Sequence, residues 1–231
     1  MAKSVTLNKN PLLQFQAWFR DAVQNAAQSG SKYPDAMTLA TVSAKGAPSA
    51  RIVLYKGMNP EGLKFYTNYN SRKGKELLAN PRAAVLFYWP ELNRQLRIEG
   101  RIKKLSTSES DDYWLTRPLE SRINAVASPQ SRPISGRAVL LQRVKELSLK
   151  YGPGLGGRDF ASFLPGSLPS FLPGSFPGFG ETTGIPRPKH WGGYCLIPDR
   201  FEFWIEGQFR LHDRFEYRKT QGKWKQVRLA P

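Results

Sequence analysis

Apolar residues recur at Leu12, Leu13, Phe15, Trp18, Phe19 and Val23, close to a period of 3.6, and Pro11 stands at the first turn. Residues 11 to 28 are therefore predicted to form an amphipathic helix. From Met37 to Ser43 the period shortens to two, which predicts a strand, and residues 44–47 turn the chain into another strand through Arg51–Lys56. Gly57-Met58-Asn59-Pro60-Glu61-Gly62 reads as a turn and Leu63 to Tyr69 as the next strand, so Arg51 to Tyr69 predicts an antiparallel hairpin. Ser71 can cap the helix that follows, and Asn80-Pro81 stops it. Arg82 to Trp89 is an apolar strand. Beyond a turn at 91–93, Arg94 to Leu105 alternates, with Gln95, Arg97, Glu99 and Arg101 on one side and Leu96, Ile98 and Ile102 on the other.

Ser106 followed by Glu109 is a capping-box pattern, which opens a helix ending near Arg117-Pro118. Helices are predicted again over Leu119–Ala127 and Arg137–Tyr151. Residues 152–184 are rich in Gly, Pro, Ser and Phe, with Phe-Leu-Pro-Gly-Ser at 163–167 and again at 171–175. No helix interior or central strand tolerates that proline density, so a surface loop inserted in the domain is expected. Strands resume at 192–198, 200–206, 210–218 and 223–229. Successive strands joined by short turns favour a closed antiparallel barrel with flanking helices, mainly β, over a parallel sheet. A chain of 231 residues needs no second core, so residues 1–231 are expected to form one domain.

Composition narrows the functional classes. No apolar run approaches the length that crosses a bilayer, the first ten residues lack a secretory apolar segment, and the single Cys195 cannot form an internal disulfide. A soluble protein of a reducing cytoplasm is expected. Two histidines and one cysteine, dispersed along the chain, supply no metal-ligand cluster. The formal charge of +17 fits either a nucleic-acid binder or a protein that handles phosphorylated small molecules. The cations are spread through the strands rather than gathered in a basic block, which argues against nucleic acid. At the Asn70-Ser71-Arg72-Lys73 junction a helix start, a hydroxyl and two cations suit an anion, although such a run taken alone is more often a solvated surface corner.

Several segments carry a resemblance when taken together: Arg51-Ile52-Val53-Leu54-Tyr55-Lys56, Phe65-Tyr66-Thr67-Asn68-Tyr69, Ser71-Arg72-Lys73, Asn93-Arg94-Gln95-Leu96-Arg97, Tyr113 to Pro118 followed by Ser121, Ser128-Pro129-Gln130-Ser131, Arg187 to Tyr194, Phe203-Trp204, Arg210 to Phe215, and the terminal Arg-Leu-Ala-Pro. In this order they resemble the pyridoxamine 5'-phosphate oxidases, FMN enzymes of vitamin B6 metabolism. The resemblance implies a split β-barrel, a homodimer with FMN at the subunit interface, and no metal. It further implies oxidation of pyridoxamine 5'-phosphate or pyridoxine 5'-phosphate to pyridoxal 5'-phosphate, with O2 as acceptor and H2O2 as product, and NH3 released from the amine.

Carried over residue by residue, the resemblance implies FMN contacts at Arg51, Ile52, Val53, Leu54, Tyr55, Lys56, Tyr66, Thr67, Arg72, Lys73, Gln95, Gln130, Ser131, Trp204 and Arg214. It implies substrate contacts at Lys56, Tyr113, Arg117, Ser121, Arg210 and His212, the last two being catalytic. Arg210 and His212 are expected to alternate in a strand and so share a face. The chain departs from the family pattern at Arg122, Asn124 and Val126, where Gln, Gly and Trp are usual, and at Ile205, where Gln is usual. These departures leave open a flavin and B6-phosphate binder without oxidase activity. A basic RNA-binding barrel stacking bases on Phe65, Tyr66, Phe87 and Tyr88 is a third reading. Those aromatics lie in adjacent pairs rather than on one alternating face, which favours core positions.

Overall fold

The alternation along β5 (Arg94–Lys104), β6 (Trp191–Ile205) and β7 (Asp213–Thr220) dictates the core, because every second residue of a strand faces the same way. In the computed structural model, which describes residues 5–151 and 184–231, Leu96, Ile98, Phe201, Phe203, Phe215 and Tyr217 are buried on one face of these strands. Helix α1 (Pro11–Ser29) lays Phe15 and Trp18 on that core, with Trp18 edge-on to Phe203 at 4.9 Å between ring centroids. Asn10 caps the helix by accepting from Leu12 N at 3.0 Å, and Gly30 ends it at φ 75°, a left-handed value that glycine adopts without a steric cost.

The remaining elements are β1 (Ala36–Val42), β2 (Pro48–Leu54), β3 (Leu63–Asn68), α2 (Arg72–Ala79), β4 (Arg82–Trp89), α3 (Thr107–Thr116), α4 (Leu119–Ala127), α5 (Arg137–Tyr151) and β8 (Lys223–Leu229). The strands follow the order β2-β1-β4-β5-β6-β7-β8, with β3 paired to β6 off that path, and every pairing of described register is antiparallel. The fold is a mainly β, antiparallel split barrel with flanking helices.

Three details differ from the sequence expectation. The expected hairpin of Arg51 to Tyr69 does not form as a ladder: β2 pairs with β1 and β3 with β6. Only the turn itself closes, through Lys56 N to Lys64 O and Lys64 N to Gly57 O, both at 2.8 Å, and Asn59 N to Gly62 O at 3.0 Å. The barrel is not closed along the described path, since β2 and β8 lie at its two ends. Residues 192–198 and 200–206 belong to one strand, and a register shift at Glu99/Gly100 of β5 takes up the irregularity opposite Pro198. The expected loop at 152–184 lies outside the described residues but for its last position.

The described residues fall into two compact units, the first comprising 5–66, 75–104 and 194–231, the second 67–74, 105–151 and 184–193. In the second unit, the capping box at Ser106 and Glu109 forms as its sequence predicts. Trp114 is buried there and donates from Nε1 to Ile185 O at 2.8 Å. Gly192 has no room for a side chain, because a Cβ would stand 2.2 Å from Tyr69 Oη. Cys195 is buried in the first unit, where its Sγ donates to Asn59 Oδ1 at 3.6 Å. Among the described residues no helix is long and apolar enough to cross a membrane.

The opposite face of β5, β6 and β7 carries buried carboxylates. Glu202 and Glu216 are 4% and 1% exposed. Glu216 accepts from Arg200 Nε at 2.6 Å and from Arg218. Burial pushes the Glu216 carboxyl up, but hydrogen bonds from Arg218 and Arg200 and their charges together outweigh it, so its pKa lies below the ordinary 4.5. A depressed folded-state pKa contributes stability above the unfolded value, and this is lost as pH falls through the folded value. Glu216→Gln is expected to cost about 1.5–3 kcal/mol at neutral pH. Urea midpoints of the two proteins should converge on acidification below the ordinary carboxyl value; a constant gap would refute this role.

Candidate functional site

The start of α2 builds a polar cluster in the second unit. Asn68 O accepts from Ser71 N at 3.1 Å and from Ser71 Oγ at 2.6 Å, which turns the chain out of β3. Ser71 Oγ then accepts from Gly74 N at 3.3 Å, capping the helix as its sequence predicts. Gly74 is required, since a Cβ would meet Tyr69 O at 2.2 Å. Lys73 Nζ donates to Thr67 Oγ1 at 3.2 Å and to Gln130 Oε1 at 3.0 Å, and Thr67 Oγ1 donates to the same Gln130 oxygen at 3.3 Å. Three expected flavin contacts, Thr67, Lys73 and Gln130, are thereby brought together across 63 positions of sequence. Gln130 and Ser131 occupy a turn closed by Arg132 N to Pro129 O at 3.0 Å, with Ser131 at a left-handed φ of 67°. Arg72 is exposed on the first turn of the helix, whose dipole presents its positive end there.

In the first unit the strand register aligns another three. Gln95 of β5 is opposite Trp204 of β6, and Trp204 is opposite Arg214 of β7. Directly opposed residues share a face, so an amide, an indole and a guanidinium form one row across three strands. His212 packs against Trp204 at 4.6 Å between ring centroids. Its Nδ1 accepts from Gly207 N at 3.2 Å, which leaves Nε2 as the nitrogen available to donate. An open cleft of about 440 Å³ borders His212, Asp213 and the terminal Leu229, Ala230 and Pro231. Arg214 is fixed by Glu202, which accepts from its Nε at 2.9 Å and its Nη2 at 2.7 Å.

Arg210 and His212 do not alternate in a strand. Gln208–Arg210 forms a 3₁₀ turn, and β7 begins only at Asp213. Phe209 and Arg210 have φ of 54° and 65°, both left-handed, and the Arg210 side chain is exposed. Backbone strain of this kind persists where surrounding contacts enforce it. Here Gly207 permits the close approach, because a Cβ would stand 1.9 Å from Leu211 O.

The segment Arg51–Lys56 lies in the first unit on and just beyond β2, with Ile52 and Leu54 exposed and Val53 half-buried. Tyr55 points into the core against Phe15, Phe19 and Phe87, where burial pushes its phenol up to about 12. Arg51 donates to Leu39 O at 3.2 Å and to Glu76 Oε2 at 3.1 Å, and also to Thr41 and Ser49. Lys56 Nζ donates to Asp35 Oδ2 at 2.8 Å. Tyr66 is half-buried near the end of β3.

Of the expected substrate contacts, Tyr113, Arg117 and Ser121 lie in the second unit. The Arg117 guanidinium stands over Trp191 at 4.6 Å and Trp114 at 5.2 Å, and Tyr113 stacks parallel to Trp191 at 6.2 Å. Burial pulls the pKa of Arg117 down to about 10, with Tyr113 opposing and Arg122 adding to the fall. Ser121 sits in the first turn of α4. The carboxylates Glu76, Glu202 and Asp35 that hold Arg51, Arg214 and Lys56 were not foreseen, nor was the burial of Arg122 at 3% exposure. For Glu202 a signal existed, since it stands two residues from Trp204 and so faces the same way.

Comparison with known proteins agrees with this architecture. Residues 23–151 match the family model described as pyridoxamine 5'-phosphate oxidase, and residues 191–231 match that of the pyridoxine 5'-phosphate oxidase C-terminal dimerisation region. The pyridoxine/pyridoxamine 5'-phosphate oxidase of Cupriavidus pinatubonensis is 48% identical over 223 residues, covering 96% of this chain and 89% of that protein. The protein of the same name from Burkholderia mallei is 46% identical over 228 residues, covering 97% and 91%. Among solved structures, PhzG from Burkholderia lata in complex with tetrahydrophenazine-1-carboxylic acid superposes with a TM-score of 0.77 at 28% identity, over 97% of this chain and 94% of that one. A pyridoxamine 5'-phosphate oxidase-related, FMN-binding protein from Nostoc punctiforme shares the fold, with a TM-score of 0.63 at 17% identity over 92% of this chain and 97% of that one. The chain belongs to the pyridoxamine 5'-phosphate oxidase family of oxidoreductases.

Arg51 is tied to a carboxylate that is 6% exposed. Arg51→Ala is therefore expected to cost about 1.5–3 kcal/mol of stability, read from denaturant midpoints. Unchanged stability would show that the Glu76 network does not depend on Arg51.

Proposed function

We propose that the protein is an FMN-dependent oxidase of pyridoxamine 5'-phosphate and pyridoxine 5'-phosphate, acting as a single-domain homodimer with the flavin at the subunit interface. The observation that carries this reading is the convergence of Thr67, Lys73 and Gln130 on a capped helix start. The donor set fits FMN. A phosphate dianion takes charge-assisted bonds from Lys73 and Arg72 beside a helix N-terminus. An isoalloxazine takes a flat apolar wall with amide and guanidinium partners, and the Gln95, Trp204 and Arg214 row offers these. Arg51–Lys56, Tyr66 and Ser131 complete the proposed flavin contacts.

FMN held by these residues would supply the hydride acceptor and the route of the electrons to O2, with H2O2 as the product. Pyridoxamine 5'-phosphate with O2 and water then gives pyridoxal 5'-phosphate, NH3 and H2O2; pyridoxine 5'-phosphate with O2 gives pyridoxal 5'-phosphate and H2O2. The chain's own residues bind and orient. Arg117, Tyr113, Ser121 and Lys56 take the substrate phosphate. His212, its ring set by Gly207 N, offers Nε2–H to the substrate, and Arg210 lies over the substrate ring. Phe65 and Phe87 are fully buried, which removes half of the stacking set an RNA-binding barrel would use.

Two variants test the assignment. Lys73→Ala should retain its fold and lose FMN on dialysis, each charge-assisted bond lost costing about 1.5–3 kcal/mol of binding. Arg210→Lys should keep FMN and lose most turnover, because an ammonium cannot reproduce a planar fork over a ring. Full flavin retention by the first, or unchanged kcat/KM in the second, would count against the corresponding role.

A further inference from the structure

Arg122 is the most deeply buried arginine described, at 3% exposure, and its Nε has no hydrogen-bond partner. Arg117 Nη1 is likewise buried without a partner. The two cations lie in the same unit and close enough for Arg122 to repel the charge of Arg117. Among the described residues neither makes an ion pair, while Asp111 is held by Arg187 at 2.6 Å and Glu109 is used in the capping box. Pro118, which precedes α4, provides no side-chain cap for the helix that carries Arg122.

An arginine keeps its positive charge in a protein, and a buried charge without a partner is costly. A second guanidinium nearby, that of the half-buried Arg117 over Trp191 and Trp114, adds to that cost unless an anion joins the two. We propose that Arg122 is a second guanidinium of the substrate-phosphate site, and that with Arg117 it selects a phosphate monoester dianion over a singly charged carboxylate. This rests on the reading of Arg117 as a substrate-phosphate contact. A phosphate monoester brings close to two negative charges and three acceptor oxygens at neutral pH, enough to satisfy both guanidinium groups. A carboxylate balances only one of the two charges.

The test uses purified FMN-loaded protein, so that the flavin's own phosphate site is filled. Inorganic phosphate should raise the melting temperature of the wild type and compete with pyridoxamine 5'-phosphate, and acetate should do neither. Arg122→Gln should retain flavin, lose about tenfold in phosphate affinity, and raise KM about tenfold at nearly unchanged kcat. Arg122→Lys should restore part of the phosphate response. In phosphate-free buffer Arg122→Gln should melt no lower than the wild type, because it removes an uncompensated buried charge. A wild-type KM and phosphate response in Arg122→Gln, or a lower phosphate-free melting temperature with no change in KM, would overturn the proposal. Arg117→Gln separates the two levels: if it raises KM and Arg122→Gln does not, only the role of Arg122 fails. If neither variant changes KM, the phosphate-site reading itself fails.

Discussion

Carboxylates are in short supply in this chain, with 18 acidic side chains against 35 lysines and arginines. The fold uses its acids where burial makes them matter. Glu76 is surrounded by Thr41, Ser49 and Arg51; Glu202 by Arg97 and Arg214; Glu216 by Arg200 and Arg218. Each is at most 6% exposed, so each must be fully partnered to be tolerated. Arg72 and Lys73 stand at the start of α2, and Arg117 and Arg122 stand just before and within α4. These are the positions where the proposed function calls for phosphates.

The same constraint ties fold to site. Glu202 faces the same side of β6 as Trp204, so the carboxylate that stabilises the sheet also fixes the Arg214 guanidinium beside the Gln95, Trp204 and Arg214 row. Register does the alignment, because a one-residue slip of β6 would send Trp204 into the core and Phe203 out of it. The left-handed turn at Phe209 and Arg210 then sets His212 against that indole.

Much of this was legible from residue patterns. Pro11 in the first turn of α1, the caps of α2 and α3, the whole of β4 and the two-sided character of β5 follow from local spacing, since their hydrogen bonds and faces are set by near neighbours. The partners of β2 and β3 were not legible. A turn with Asn-Pro and Gly suits a hairpin, yet pairing is decided by which strand covers which apolar face, a non-local matter. The 3₁₀ turn at Gln208–Arg210 escaped for another reason: alternation cannot reveal a positive φ at Phe209 and Arg210. The burial of Arg122 is likewise invisible in sequence, where an arginine on a short helix reads as a solvated residue.

The central claim is that the chain holds FMN in position to accept hydride from a B6 phosphate. The most direct measurement is the visible absorption of the purified protein under anaerobic conditions, before and after one equivalent of pyridoxamine 5'-phosphate. The account predicts a flavin band that bleaches on addition, returns on admitting air, and leaves one equivalent of pyridoxal 5'-phosphate. A protein without a flavin band, or a band that persists unchanged in the presence of the substrate, would contradict it.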